Sequence, residues 1–409
     1  MARRFDLNFE KLAAVVELLA VVAALAFGLA IAVDGHFNTA SYYPPTFDNA
    51  MLWAGRARVI LDTGHYAEME LVFGGVTKTY HVPFWPALAA GFSSLGGVNL
   101  YWAVRLVSLL QAVLLGLGVY LAAKAFSGGS RPAGAVAALL AFSSFNLMAW
   151  GTRNTPISWG VVLIPFGVWA VATRKTHFAV LAGLSLALDH QPSLLVFVLT
   201  LLLYAIFSNL SRLRELLSLR LSGVELAPIA AGITAFFAYI VWHVRQTGLS
   251  CLNFSCLPQA AAREFGKPIA LNEFLAKLPE LVGALGVIAV ALWWLRSARE
   301  PNRTAGAFGL LAAVVGIVFS SAPPLFLGLF MLLYALRDCR DELLLFAWLA
   351  ACILLVKNDA LGAGVFTERF LTHFGEALAV AGGMLLALAA KVASGWRARK
   401  SSGYASALL

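Results

Sequence analysis

The chain is 409 residues long, 60% hydrophobic and only 12% charged, with a mean hydropathy of +0.81. Those values exclude a soluble globular enzyme and fit an all-α, polytopic integral membrane protein, because a helix crosses a bilayer with roughly 20 apolar residues at about 1.5 Å each. The net charge of +9 and pI near 9.5 do not indicate nucleic acid as a partner, since the basic residues are spread through short interhelical stretches and form no single face.

The first apolar run, Leu12 to Val33, is too long for a signal-peptide core, and Asp34-Gly-His-Phe-Asn offers no small-residue cleavage site, so it is expected to stay as the first span. Further runs near 100–123, 132–149, 157–173, 177–189, 192–207, 225–246, 279–296, 304–320, 323–337, 342–356 and 372–393 bring the total to about twelve spans in a single transmembrane domain, 1–409, with no separate soluble domain. The pair 177–189 and 192–207 reads either as two short spans or as one long helix broken at Asp189-His190-Gln191-Pro192, and the choice decides the side of everything downstream. With twelve spans and the N-terminus inside, most of the 30 Lys and Arg, among them Arg3, Arg4, Arg131, Arg174, Lys175, Arg340 and Lys400, fall on the inner side. The expected location is therefore the cell membrane, multi-pass, with both termini cytoplasmic. The outer face then owns a first loop, 34–98, a second, 247–278, and a third, 357–371, while the amphipathic stretch 208–223 lies on the inner membrane surface.

In the first outer loop, Pro44-Pro45-Thr46 precedes Phe47, Ala50, Met51, Ala54, Ala57 and Leu61 at helical spacing, ended by Gly64, which predicts a helix along the membrane surface. Asp48 in its first turn is either a residue favoured there by the helix dipole or a general base or metal ligand beside the bilayer. Arg58 and Asp62 pair at i,i+4. Arg56 either holds a phosphate or snorkels to the headgroups. Glu68 and Glu70, with His65 and His81 nearby, are weak candidates for a divalent ion, the alternative being solvated acids of a short hairpin turning at Gly74-Gly75. The stretch from His81 to Phe92 predicts a re-entrant or interfacial helix, and Arg105, inside the second span, either faces the site or snorkels.

Farther along, Asp189 and His190 form the most polar interruption of the membrane region, which is either a functional site or a helix end. Cys251 and Cys256 in the second outer loop are spaced to close a disulfide in preference to remaining two thiols, and Cys339 and Cys352 read as packing residues. No phosphate-cradling Gly-rich loop is present: Gly128-Gly129 has no following Lys-Ser or Lys-Thr, which speaks against direct use of a nucleotide sugar.

Several segments in order carry a resemblance. An Asp after the first span, a helix ending in Ile-Leu-Asp-Thr-Gly-His-Tyr, and the aromatic-proline stretch from His81 to Pro86 resemble the GT-C superfamily of membrane glycosyltransferases. Thr152-Arg153-Asn154-Thr155-Pro156, the run Leu181 to Ser193, and Thr367-Glu-Arg-Phe-Leu371 are similar to segments of its protein-mannosyltransferase-like branch and the archaeal and bacterial relatives of that branch. The resemblance covers most of the chain and rests on no single motif. It implies a polyprenyl-phosphate sugar as donor, an outer-face lipid, glycan or protein as acceptor, and a hexose, with mannose the family-weighted choice.

Carried over by position, Asp48 is the base that deprotonates the acceptor hydroxyl. Arg369 is the first candidate for the donor phosphate, with Arg153, Lys357 and Arg56 behind it, and His81, Asp189, His190 and Arg105 are candidates for the substrate site. Asp48 is followed by Asn49, not by a second acid, and the soluble C-terminal domain of oligosaccharyltransferase subunits has no counterpart here. Neither metal dependence nor transfer to a protein sequon therefore follows from the resemblance, and no cofactor is required by it. The rival reading is a transporter or lipid flippase, against which stand the long first loop and the lack of a second helix break matching Asp189–Pro192 in the C-terminal half. A non-catalytic membrane subunit is the third.

Overall fold

The computed structural model describes residues 2–37, 50–66, 69–72, 75–78, 83–153, 155–210, 226–247, 300–319, 321–361, 367 and 369–385. In order these form α1 (Ala2–Phe37), α2 (Ala50–Thr63), a hairpin of β1 (Met69–Val72) and β2 (Gly75–Lys78), then α3 (Phe84–Gly96), α4 (Leu100–Phe126), α5 (Arg131–Ser143), α6 (Phe145–Gly151) and α7 (Pro156–Ala172). After these come α8 (Thr176–Ala187), α9 (Gln191–Ser208), α10 (Leu226–Thr247), α11 (Glu300–Val318), α12 (Ala322–Ala335), α13 (Arg340–Val356), a 3-10 turn (Asn358–Leu361) and α14 (369–385). Among the described residues, three helices are long and apolar enough to cross a membrane, those of α1, α4 and α9, and six more are apolar but shorter.

Local chemistry sets the boundaries. Asn99 caps α4 by accepting the Trp102 amide at 3.1 Å, and Ser130 caps α5 in the same way, with Pro132 in its first turn where a missing N–H costs nothing. The run 132–149, expected as one span, is two helices. Ser144 leaves helical geometry (φ −82°, ψ 113°), and its hydroxyl accepts the Leu147 amide at 3.2 Å to start α6 afresh. Gly64, at φ 76°, stops α2 where the sequence expects the surface helix to end. The hairpin pairs Val72 with Gly75 across residues 73–74.

The 177–207 segment folds back on itself. A Cβ on Gly183 would lie 3.3 Å from the Phe197 ring, whereas in one continuous helix residues 183 and 197 would stand about 21 Å apart. Of the two readings open in the sequence, the structure takes the pair of antiparallel helices.

Glycines let the central helices close on one another. Gly167 faces Phe197, Gly118 receives Phe166 and Pro165, and Gly383 of α14 packs on the α5 backbone at Ala133 and Ala137. Trp348, Leu345, Ala347 and Cys352 of α13 are fully buried, as are Leu186, Phe197 and Tyr204, so the core runs through α7, α9, α13 and α14. Phe308, Leu311 and Phe319 near α11, Phe326, Leu327 and Phe330 of α12, and Leu18 and Leu19 of α1 face outward, as lipid-facing side chains do.

Polar contacts define two ends of the bundle. At one, Arg340 donates to the Val171 carbonyl (3.3 Å) and the Tyr204 hydroxyl (3.1 Å), and Arg131 pairs with Glu17 at 3.6 Å. At the other, the Phe84 amide donates to the Leu188 carbonyl at 2.9 Å, docking α3 onto the turn between α8 and α9.

Candidate functional site

The site is built on that turn. α8 ends at Ala187, the amides of Asp189 and His190 fold back to the Leu186 carbonyl, and His190 turns extended (φ −148°, ψ 113°). Its imidazole Nδ1 then accepts the Ser193 amide at 3.4 Å and so caps α9, while Pro192 occupies the first turn. Asp189 and His190 thus lie in the turn outside both helices. α7 reaches them through Gly160, where a Cβ would stand 3.7 Å from His190 Nδ1 and would collide with the Ser193 side chain. Phe84 and Trp159 meet edge to face at 6.0 Å between centroids, fastening α3 to α7 beside the turn.

From His190 a line of polar side chains enters the core. His190 Nδ1 is 2.7 Å from Ser193 Oγ, which is 2.9 Å from His373 Nε2, and His373 Nδ1 is 2.9 Å from Glu376 Oε1. Arg369 Nη1 stands 3.5 Å from His190 Nε2. Arg369, His373 and Glu376 follow one another at i, i+4 and i+7, along one face of α14. Ser193, His373 and Glu376 are fully buried, whereas His190 keeps 8% exposure and Arg369 is half-buried, so the line opens to the surface at its Arg369–His190 end.

Asp189 is 1% exposed, with the Gly160 backbone amide facing its carboxyl group. Burial holds its carboxyl well above the usual carboxylate range, opposed only in part by the Gly160 backbone amide. A neutral, proton-bearing Asp189 is what such a pocket favours.

The other cations occupy the same end on separate elements. Lys357 is buried just past α13. Arg153, in the turn before α7, stacks its guanidinium 4.0 Å above the Trp150 ring, and its carbonyl accepts the Ser158 hydroxyl. Arg56 and Arg105 are buried and do not snorkel to solvent: Arg56 lies 4.2 Å over Trp53, and Arg105 lies 4.4 Å over Tyr101. Each of these arginines rests on an aromatic ring one helical turn earlier, which orders the guanidinium before any ligand arrives. Arg58 pairs with Asp62 at 2.9 Å on the exposed face of α2.

Of the residues singled out in the sequence, the structure brings His190 and Arg369 into contact and sets Asp189 beside them. Asp48, His81, Glu68, Cys251 and Cys256 lie outside the described residues, and of Glu70 only the β1 backbone is described. Among the described residues no group of three or more metal-ligating side chains occurs. Ser193, His373 and Glu376 escaped the sequence reading. The available signal was a His and a Glu at i,i+3 inside an apolar helix, where ionisable groups are costly enough to need a reason.

No family model matches the sequence, and neither does any curated protein. Solved structures do. The archaeal oligosaccharyltransferase AglB from Archaeoglobus fulgidus, in complex with an inhibitory peptide and a dolichol-phosphate, is similar over 93% of this chain and 52% of its own, with a TM-score of 0.56 at 12% identity. The same organism's oligosaccharyltransferase, tethered by a disulfide to an acceptor peptide containing the NVT sequon, is similar over 90% of this chain and 49% of its own, with a TM-score of 0.50 at 14% identity. The chain thus spans about half the length of these neighbours. At such identity the likeness speaks for the fold alone: this chain shares its helical architecture with about half of those neighbours.

Proposed function

We propose that the protein is a membrane glycosyltransferase that moves a hexose from a polyprenyl-phosphate donor to an acceptor at the outer face of the membrane. The observation that carries this reading is the meeting of Arg369 and His190 at the open end of a buried polar line, within a fold shared with an oligosaccharyltransferase crystallised with dolichol-phosphate. Arg369, always cationic and held 3.5 Å from His190 Nε2, sets positive charge at this end for a phosphate oxygen. Lys357 and Arg153, at the same end, add positive charge for the leaving phosphate, whose developing charge must be stabilised as the glycosidic bond breaks.

In this reading Asp48 of the first loop removes the proton from the acceptor hydroxyl, and attack from the face opposite the phosphate inverts the sugar. The chain crosses the membrane about twelve times, with both termini in the cytoplasm and the Arg369–His190 end outside. Direct support comes from equilibrium binding of polyprenyl monophosphate to the purified protein, competed by the polyprenyl-phosphate sugar. Absence of binding refutes the donor assignment.

A further inference from the structure

We propose that Ser193, His373 and Glu376 are positioning residues that fix the His190 ring beside Arg369, with Glu376 and His373 acting on His190 through the Ser193 hydroxyl. That the seated pair then serves a lipid-linked phosphate rests on the reading above; the seating itself rests on the geometry of three helices.

α7, α9 and α14 meet at Ser193. Its hydroxyl lies 2.7 Å from His190 Nδ1 and 2.9 Å from His373 Nε2, and its backbone amide adds a second contact to Nδ1 at 3.4 Å. A hydroxyl both donates and accepts, so it serves both rings whichever nitrogen of each carries the proton, and the seating holds for either tautomer of His190. α7 closes the remaining side through Gly160, where any Cβ would collide with Cβ and Oγ of Ser193. His373 is held in turn from its far side, with Nδ1 2.9 Å from Glu376 Oε1.

Packing alone does not account for these groups. Ser193, His373 and Glu376 are fully buried in an apolar bundle, where ionisable side chains are costly and apolar residues of similar volume would join α9 to α14 at least as well. What the polar groups supply is orientation. Hydrogen bonds are directional, and a histidine carried on a turn between helices gains from them a fixed ring plane that apolar contact does not set. α14 carries both halves of the arrangement. Arg369 and His373 stand one turn apart on one face of it, so the helix that presents the guanidinium also seats the imidazole 3.5 Å away. His373 and Glu376 do not touch the ligand; they act through Ser193 and His190.

The test is a double-mutant cycle on the purified full-length protein in lipid nanodiscs, with its histidine rings labelled with 15N. The chain has seven histidines, and His190→Asn assigns the His190 signals by their loss. The ring nitrogen shifts of His190 are read at fixed pH in the wild type, Glu376→Gln, Ser193→Ala and the double variant, with thermal unfolding to establish that each is folded and binding of polyprenyl monophosphate measured beside them. Arg369 and Asp189, which also flank His190, are unchanged in every variant. Glu376→Gln is expected to move the His190 shifts from two residues away and to weaken binding by about 3- to 10-fold, and both effects are expected to vanish once Ser193 is alanine. His373→Gln, which keeps an amide nitrogen toward Ser193 and gives up Glu376, runs the same cycle from the next residue if Glu376→Gln does not fold. A Ser193-dependent movement of the His190 shifts with no binding of polyprenyl monophosphate upholds the seating and removes the lipid donor. Unmoved His190 shifts in Glu376→Gln, or a movement of equal size in the Ser193→Ala background, overturn the proposal.

Discussion

Arg369→Ala isolates the contact on which the donor assignment rests. Arg369 Nη1 stands 3.5 Å from His190 Nε2, and in the proposed site its guanidinium donates to a phosphate oxygen, so the alanine variant removes the charged partner of that phosphate. A hydrogen bond to a charged group contributes about 1.5–3 kcal/mol, and every 1.4 kcal/mol is tenfold in affinity, which gives a loss of about 10- to 150-fold. The half-burial of Arg369 leaves solvent to compensate in part, which places the expected value in the lower half of that range, about 30-fold. Arg369→Lys keeps the charge but not the planar fork, and an intermediate loss of about 5- to 10-fold is expected. The assay is equilibrium binding of labelled polyprenyl monophosphate to the protein in lipid nanodiscs, with thermal unfolding run alongside to show that the bundle is unchanged. A dissociation constant in Arg369→Ala equal to that of the wild type refutes the reasoning and moves the phosphate to another of the cations.

Two further predictions concern the scaffold. Gly160→Ala places a methyl group against the Ser193 side chain, and overpacking of this kind costs about 1–3 kcal/mol, so the melting temperature falls and phosphate binding weakens as His190 is displaced; an unshifted melting temperature contradicts the close approach of α7 to α9. Asp189→Asn tests the buried acid of the turn. Because burial raises the Asp189 carboxyl in the folded state above its ordinary 3.8, the folded protein holds more protons than the unfolded chain once the pH passes that value, and stability falls as pH rises through the folded-state range. The asparagine variant is expected to flatten that fall in a series of melting curves from about pH 4 to about pH 8, and an unchanged slope shows that Asp189 is not its source.

Much of the helix layout is legible in hydropathy, because a run such as Leu100–Phe126 is apolar all round and has few alternatives. The break at Ser144 is not, since two serines barely lower a window average and their effect is stereochemical: one hydroxyl ends a helix and starts another. Whether 177–207 folds back was open in the sequence, because it depends on Phe197 finding Gly183, a contact between residues that no local pattern links. The site divides along the same line. His190, Asp189 and Arg369 stand at helix ends, where polar residues interrupt apolar runs and draw notice. Ser193, His373 and Glu376 sit inside helices that read as membrane spans, and only the juxtaposition of α9 with α14 reveals that a serine on one helix joins a histidine and a glutamate on the other. The arginine stacks were likewise readable in part: an aromatic ring three or four residues before Arg56, Arg105 and Arg153 is visible in the sequence, but the burial that keeps these side chains from snorkelling is a tertiary property.

The central claim, sugar transfer from a polyprenyl-phosphate donor with Asp48 as base, is tested most directly by supplying the purified protein with a panel of radiolabelled polyprenyl-phosphate sugars and membrane-extract acceptors, beside the Asp48→Asn variant. Loss of a proton-accepting base at an attacking hydroxyl lowers rates by about 10²- to 10⁴-fold, so turnover with at least one donor that falls by that factor in the variant, with donor binding intact, is the expected result. Turnover undiminished in Asp48→Asn, or none with any donor from a folded wild-type protein, contradicts the account.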